Sequence, residues 1–322
     1  MAKKNIILIF ILIISGLSVV ISLPTVFISS GLQSYGIIEE SEIWYFPEDL
    51  SPQVDLSIIT DVGNIKIDYV EPSFSTYGKI DVIFNIAGSD LAGKSYTDYF
   101  SLNCQTTNSR ANFTLEVLSD DWFDTSLWSL RNISIILSLR SDIIFNINVT
   151  LEDGDFDLVV PYGVSIGNVH INVSLGNILY NFNHCIIDGN ITGITNKGDL
   201  NLQSYNVEYT QNHNWMFNST DGEMTITISQ YKEMGANITG TAWIINGMLD
   251  LFYNDTSSDI GAVFYFPCPS LDPGIGGDGF AGSSKGVGVL YTSLDFPTKN
   301  NYNLTFYLPD ISQDHNLYIH SD

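Results

Sequence analysis

From about residue 53 onward, apolar and polar residues alternate with a period of two, the pattern of strands that bury one face. Phe113, Leu115 and Val117 interleave with Asn112, Thr114 and Glu116, and Phe145, Ile147, Val149 and Leu151 interleave with Asn146, Asn148, Thr150 and Glu152. Val169, Ile171, Val173 and Leu175 continue the series. Slipping such a strand by one residue would turn its whole apolar row to water, at roughly 1.5–3 kcal/mol for each side chain, so the pattern fixes which face is buried. Helical spacing is nearly absent after residue 30. Only residues 120–130, with Trp122, Phe123, Leu127 and Leu130 three or four apart, predict one short helix or turn. The fold class expected is all-β.

Glycine flanked by Asn, Asp or Glu opens strand after strand. Gly63-Asn64, Gly154-Asp155, Gly167-Asn168, Gly176-Asn177, Gly189-Asn190, Gly198-Asp199, Gly222-Glu223 and Asn246-Gly247 each precede a short alternating run. Glycine reaches positive φ at a tight corner and Asx tolerates the neighbouring turn position, so each unit reads as turn then strand. From Gly167 to Gly198 the glycines recur at nine, thirteen and nine residues, too close for a helix within the repeat. Either β-solenoid rungs or a stacked antiparallel β-meander fits, stabilised by stacking on neighbours. These units, preceded by Val159-Val160-Pro161-Tyr162-Gly163, resemble the putative-adhesin family of bacterial and archaeal β-solenoid domains over roughly residues 55–260. The resemblance implies a repetitive β domain, often membrane-associated, with no catalytic residues to carry over.

The N-terminal segment is different in kind. Residues 6–28 carry no charge, and as a helix they would be roughly 34 Å long, enough to cross a bilayer. Lys3 and Lys4 precede the run and Glu39, Glu40 and Glu42 follow it. The positive-inside rule then predicts a cytoplasmic N-terminus (1–5), a single transmembrane helix (6–28), a juxtamembrane linker (29–52) containing Trp44 near the membrane interface, and an extracytoplasmic body (53–322). A cleaved signal peptide ending near Ser22 is the competing reading, and would release the body as a secreted protein.

Composition narrows the partners. Asp and Glu outnumber Lys and Arg 36 to 12, for a formal charge of -24, which disfavours a phosphate-backbone partner and leaves cations, a surface protein or a polysaccharide. Cys104, Cys185 and Cys268 are far apart and lack metal-site spacing; they read as free, buried thiols, with one bridge plus a leftover thiol as the alternative. His170, His184, His213, His315 and His320 show no ligand spacing either, and His170 falls on a polar strand face. Trp122, Trp128, Trp215 and Trp243 read as core or rung-stacking residues.

Several short motifs invite chemistry. Asn-x-Ser/Thr acceptors occur at Asn112, Asn132, Asn148, Asn172, Asn190, Asn218, Asn237, Asn254 and Asn303, giving glycosylation candidates if the body is exported. Asp272 and Asp278 share a glycine-rich loop and are the candidate calcium ligands. Gly282-Ser283-Ser284-Lys285-Gly286 has the spacing of a nucleophile elbow, with Asp310 and His315 downstream, but a strand rather than a helix follows, so it reads as a Gly/Ser loop. Gly274-Ile275-Gly276-Gly277-Asp278-Gly279 fits a dinucleotide fingerprint without the helix that chemistry requires, and no cofactor is expected. The function expected is a membrane-anchored, non-catalytic adhesin or envelope-binding protein. The alternatives are an exported carbohydrate-active enzyme with a carboxylate pair on a β face, and a sensor or assembly subunit.

Overall fold

The computed structural model describes residues 35–44, 53–72, 80–89, 93–107, 110–118, 132–255, 260–267, 280–285, 288–293, 298–308 and 316–321. Most of them are in strands, stacked as two sheets. In chain order the strands are β1 (Tyr35–Trp44), β2 (Gln53–Val62), β3 (Asn64–Val70), β4 (Ile80–Ser89), β5 (Phe100–Thr107), β6 (Arg110–Val117), β7 (Asn132–Arg140) and β8 (Ile144–Asp153). There follow β9 (Phe156–Val160), β10 (Ser165–Leu175), β11 (Ile178–Asn183), β12 (Ile186–Ile187), β13 (Ile191–Lys197), β14 (Leu200–Tyr205), β15 (Glu208–Tyr209) and β16 (His213–Asp221). The last are β17 (Met224–Gln230), β18 (Ile238–Asn246), β19 (Leu249–Asp255), β20 (Ile260–Phe266), β21 (Phe280–Lys285), β22 (Gly288–Ser293), β23 (Asn300–Tyr307) and β24 (Asn316–Ser321).

Each rung takes one strand from each sheet: β2–β3, β8–β9, β10–β11, β13–β14, β16–β17, β18–β19 and β23–β24, with every step between these rungs parallel. The nine- and thirteen-residue intervals of the sequence are the two parts of one 22-residue turn of the solenoid. Equivalent residues at that separation are joined directly, as in Asn168 N–H to Asn146 Oδ1 at 2.9 Å and Asn177 N–H to Asp155 Oδ1 at 2.9 Å. Antiparallel pairing is confined to the ends: β1 on β4 and β4 on β7 in one sheet, and β5 on β6, β22 on β20 and β21 on β22 in the other.

The corner motif now has a mechanism. At the corner joining the two strands of a rung, Gly63, Gly154, Gly176, Gly198 and Gly222 all have positive φ and stack on one another. The residue after each of the first four glycines hands a side-chain oxygen to the next rung: Asn64 to Asp155 N–H (3.0 Å), Asp155 to Asn177, Asn177 to Asp199 and Asp199 to Glu223 (2.8 Å). These ladders satisfy amides that the turn leaves without a sheet partner. A second ladder of asparagines, Asn146, Asn168, Asn190 and Asn214, runs along another corner.

Between the sheets, columns of aligned side chains form the core. One column reads Ile147, Val169, Ile191, Trp215, Gly240 and Leu304; the next reads Val149, Ile171, Gly193, Phe217, Ala242 and Phe306. Large residues sit beside small ones, as close packing demands. At Gly193, an added Cβ would lie 3.0 Å from the ring and hydroxyl of Tyr180, which crosses from the opposite sheet and donates to Thr192 O at 2.8 Å.

Four expectations are corrected. The segment 29–52 contains strand β1, which pairs with β4 along its length and carries Glu39, Glu40 and Glu42, so it is not simply a linker. Trp44 on that strand packs edge-to-face on Phe113 (5.8 Å between centroids), part of the core boundary instead of an interface anchor. Residues 282–285, expected as a Gly/Ser loop, form part of β21 in a hairpin with β22. The single-pass membrane placement is withdrawn: among the described residues the only helix is the 3-10 turn Tyr96–Asp98, and none is long and apolar enough to cross a membrane. The segment 6–28 assigned to the span lies outside the described residues, as does the short helix expected at 120–130.

Candidate binding face

The sheet containing β9, β11, β14, β17 and β19 presents two adjacent outward columns. Asn181, Gln203, Thr227 and Phe252 align in one; Asn183, Tyr205, Ser229 and Asn254 align in the other. Alternation puts their neighbours Phe182, Ser204 and Ile228 in the interior, and leaves these side chains facing out. Asn181, Asn183, Gln203, Tyr205, Thr227 and Ser229 line an open groove of about 490 Å³. Its walls carry amides and hydroxyls, which both donate and accept, and no charged group.

A row of rings borders the groove at the corner where these strands end. Tyr162, His184, Tyr205 and Tyr231 follow one another along the stack with centroids 5.7, 4.7 and 5.6 Å apart. The corner backbone sets this spacing. Gly163, His184 and Asn206 all adopt positive φ, Gly163 N–H bonds His184 O (3.0 Å), His184 N–H bonds Tyr205 O (2.8 Å), and Asn206 N–H bonds Ser229 O (2.8 Å). The His184 ring is held on both sides, Nδ1 2.7 Å from Asn183 Oδ1 and Nε2 3.2 Å from Asn206 Nδ2, a pattern satisfied by the neutral ring with its proton on Nδ1. Asn206 Oδ1 accepts Tyr231 N–H at 2.6 Å, and Asn254 Nδ2 donates to the Tyr231 hydroxyl at 3.1 Å. Tyr162 remains 76% exposed and Tyr205 41%.

The carboxylates offer a poorer site. Asp157 lies on the outer face of β9, its carboxyl raised from the ordinary range by burial and then by Asp155, with Lys66 opposing. Asp155, however, spends Oδ1 on the corner ladder. Asp255 is buried and receives the Tyr253 hydroxyl at 2.5 Å. Gln230 beneath the face is fully engaged, accepting from Val207 N–H and donating to Val207 O and Lys232 O. Asp255 and Gln230 are interior groups and Asp155 a corner group, so Asp157 stands half-exposed on the outer face with no second free carboxylate beside it among the described residues. Among the described residues no cluster of three or more His, Cys, Asp and Glu is arranged to hold a metal.

Among the described residues, those singled out from sequence are not brought together. Asp272 and Asp278, Asp310 and His315, Trp122 and Trp128, and Cys268 lie outside the described residues. Of the sequon asparagines, Asn112, Asn148 and Asn190 are exposed, while Asn172, Asn218, Asn237, Asn254 and Asn303 are half-buried. Asn190 and Asn237 give their Oδ1 atoms to corner ladders. Asn132 opens β7. Cys104 is half-buried and Cys185 buried, both unbridged, and burial pushes the Cys185 thiol up to about 12. Trp215 is in the core; Trp243 faces out and stacks on Tyr307 at 5.3 Å. Sequence reasoning missed the ring row, whose members are 22, 21 and 26 residues apart and so carry no regular signal in the sequence.

No family model matches the chain, and no curated protein matches it. Several solved structures are similar. One is described as a putative cell adhesion protein from Clostridium sporogenes, at 11% identity and a TM-score of 0.36, covering 89% of this chain and 100% of that one. Another is described as a putative adhesin from Bacteroides fragilis, at 8% identity and a TM-score of 0.33, covering 90% and 99%. Likenesses this distant assign no family.

Proposed function

We propose that the chain is an adhesin-like, non-catalytic binding scaffold that docks a partner along the ring-bordered face of β11, β14 and β17. The observation that carries this reading is the row Tyr162, His184, Tyr205 and Tyr231, held by rung hydrogen bonds beside an uncharged groove. Exposed aromatic rings on a rigid sheet supply contact area with little side-chain entropy to lose. The acidic charge of the chain keeps copies apart and turns anionic polymers away.

The test compares native chain with the Tyr162→Ala/Tyr205→Ala double variant on coated beads offered to cells and extracted cell-surface polymers. Loss of adherence with an unchanged melting curve is expected. Equal adherence would remove this face from the reading. Release of new reducing ends from the polymers would replace it with the carbohydrate-active alternative.

A further inference from the structure

Resting on the binding reading above, we infer that the groove takes an extended, uncharged glycan, with sugar rings lying against Tyr162 and Tyr205 and their hydroxyls bonded by Asn181, Asn183, Gln203, Thr227 and Ser229. Three features of the face select this chemistry. First, the groove between β11 and β17 holds no charged side chain, so a charged ligand finds no counter-charge there. A polyanion would also meet a chain of net charge -24. Second, the lining is amide and hydroxyl, the groups that match vicinal hydroxyls as donor and acceptor together. Third, the rings present apolar surface on one side of a polar trough, as the two-sided character of a sugar ring requires.

A protein partner fits less well. A stable protein interface has a desolvated apolar centre of several hundred Å² with a polar rim. Here the polar groups occupy the trough and the apolar groups its border, and Ser229 and Thr227 bring no apolar bulk.

The geometry also constrains the ligand's shape. Four rings on successive rungs span about three strand spacings, roughly 14 Å. That length suits a run of a few sugars lying across the strands, along the stack.

The experiment is a printed array of neutral, uronic-acid, sialylated and phosphorylated glycans probed with the whole chain, followed by calorimetric titration of the strongest soluble oligosaccharide. Signal confined to neutral glycans is expected. Tyr162→Ala and Tyr205→Ala should each weaken the titrated sugar by about threefold to tenfold, and Gln203→Ala should weaken it while leaving the melting curve in place. The inference is overturned if no neutral glycan gives signal, if charged glycans are preferred, or if both tyrosine variants bind as tightly as native chain. Bead adherence that still depends on Tyr205 while every neutral glycan fails would sink the glycan class and leave the binding face standing. Adherence and glycan signal that both ignore the tyrosines would sink the two together.

Discussion

Replacing Gly176 by alanine is the sharpest test of the corner. Gly176 has φ +140°, a backbone region that costs an L side chain about 1–3 kcal/mol. An added Cβ would also stand 2.0 Å from Gly154 O and 2.6 Å from Gly154 C, inside any permitted contact. The obstacle is backbone, so the corner itself must move. Movement strains the rung bonds on either side, Gly154 N–H to Leu175 O and Gly176 N–H to Lys197 O, both 2.8 Å. Each is worth about 1 kcal/mol net. Conformational strain and weakened bonds together predict a loss of about 3–5 kcal/mol, a large share of the stability of an ordinary domain.

Gly163→Ala is the matched control. It also has positive φ (+76°), but no atom lies within 4 Å of the added Cβ, so only the conformational cost of about 1–2 kcal/mol remains. Urea unfolding at 25 °C, read as midpoint and slope, measures both. Equal losses in the two variants, or a Gly176→Ala loss below about 1 kcal/mol, would refute the claim that stacked backbone contacts dictate glycine at this corner.

Three further outcomes follow from the interior. Gly193→Ala should destabilise by about 1–3 kcal/mol by crowding the Tyr180 ring, and in a double-mutant cycle Tyr180→Leu should recover part of that loss, whereas additive losses would show that the two sites are uncoupled. The His213 imidazole, 5% exposed, is held below its ordinary range by burial, with Asp188 pulling the other way; protons then bind the unfolded chain better, so its contribution is complete above about pH 6.5 and is lost as the pH falls below that value. His213→Gln should flatten that limb of the stability profile, and an unchanged limb would assign it elsewhere; Asp81 and Asp157, whose carboxyls are raised by burial, act in the opposite sense at lower pH. Cys185 should stay unreactive toward a thiol reagent at pH 8 until urea unfolds the chain, because its thiol is buried and raised to about 12; mass-mapped labelling of native Cys185 would contradict that burial.

Much of this architecture was legible in local patterns. Strand faces follow from alternation because a β side chain has only two directions, and residues such as Ile147, Val149 and Leu151 are buried as their pattern requires. The corner motif was legible as turn chemistry, but the ladder it builds was not, because Asn64 and Asp155 are 91 residues apart. Chain order misleads most at the ends. Strand β23 sits between β18 and β20, so the last rung fills a slot that earlier residues left open. Strand β1 reads as linker because it lies at a sheet edge, where acids such as Glu39 and Glu42 belong: an edge has one neighbour, and charge discourages a second copy from pairing there. The proposed binding face escaped notice for a related reason. Tyr162, His184, Tyr205 and Tyr231 belong to no local motif, and only the stacking of successive rungs brings their rings together.

Rung stacking is what links this fold to the proposed function. Strand spacing along a stack is set by backbone hydrogen bonds, about 4.8 Å per step, and side chains cannot alter it. Side chains at equivalent positions of successive rungs are therefore repeated near that interval, and the four rings, at positions not all equivalent, stand 4.7 to 5.7 Å apart. At the corner, Gly163, His184 and Asn206 fix the backbone, Asn183 and Asn206 hold the His184 ring, and Asn254 anchors Tyr231. The rings are thus placed before any partner arrives, and ordering them costs little on binding. Removing a ladder residue should then weaken binding without touching the ligand: Asn206→Ala loses the contacts to His184 and to Tyr231 N–H while both exposed tyrosines remain. If affinity for the titrated sugar were unchanged in Asn206→Ala while Tyr205→Ala abolished it, ring identity alone would matter, and preorganisation by the solenoid corner would have no part in recognition.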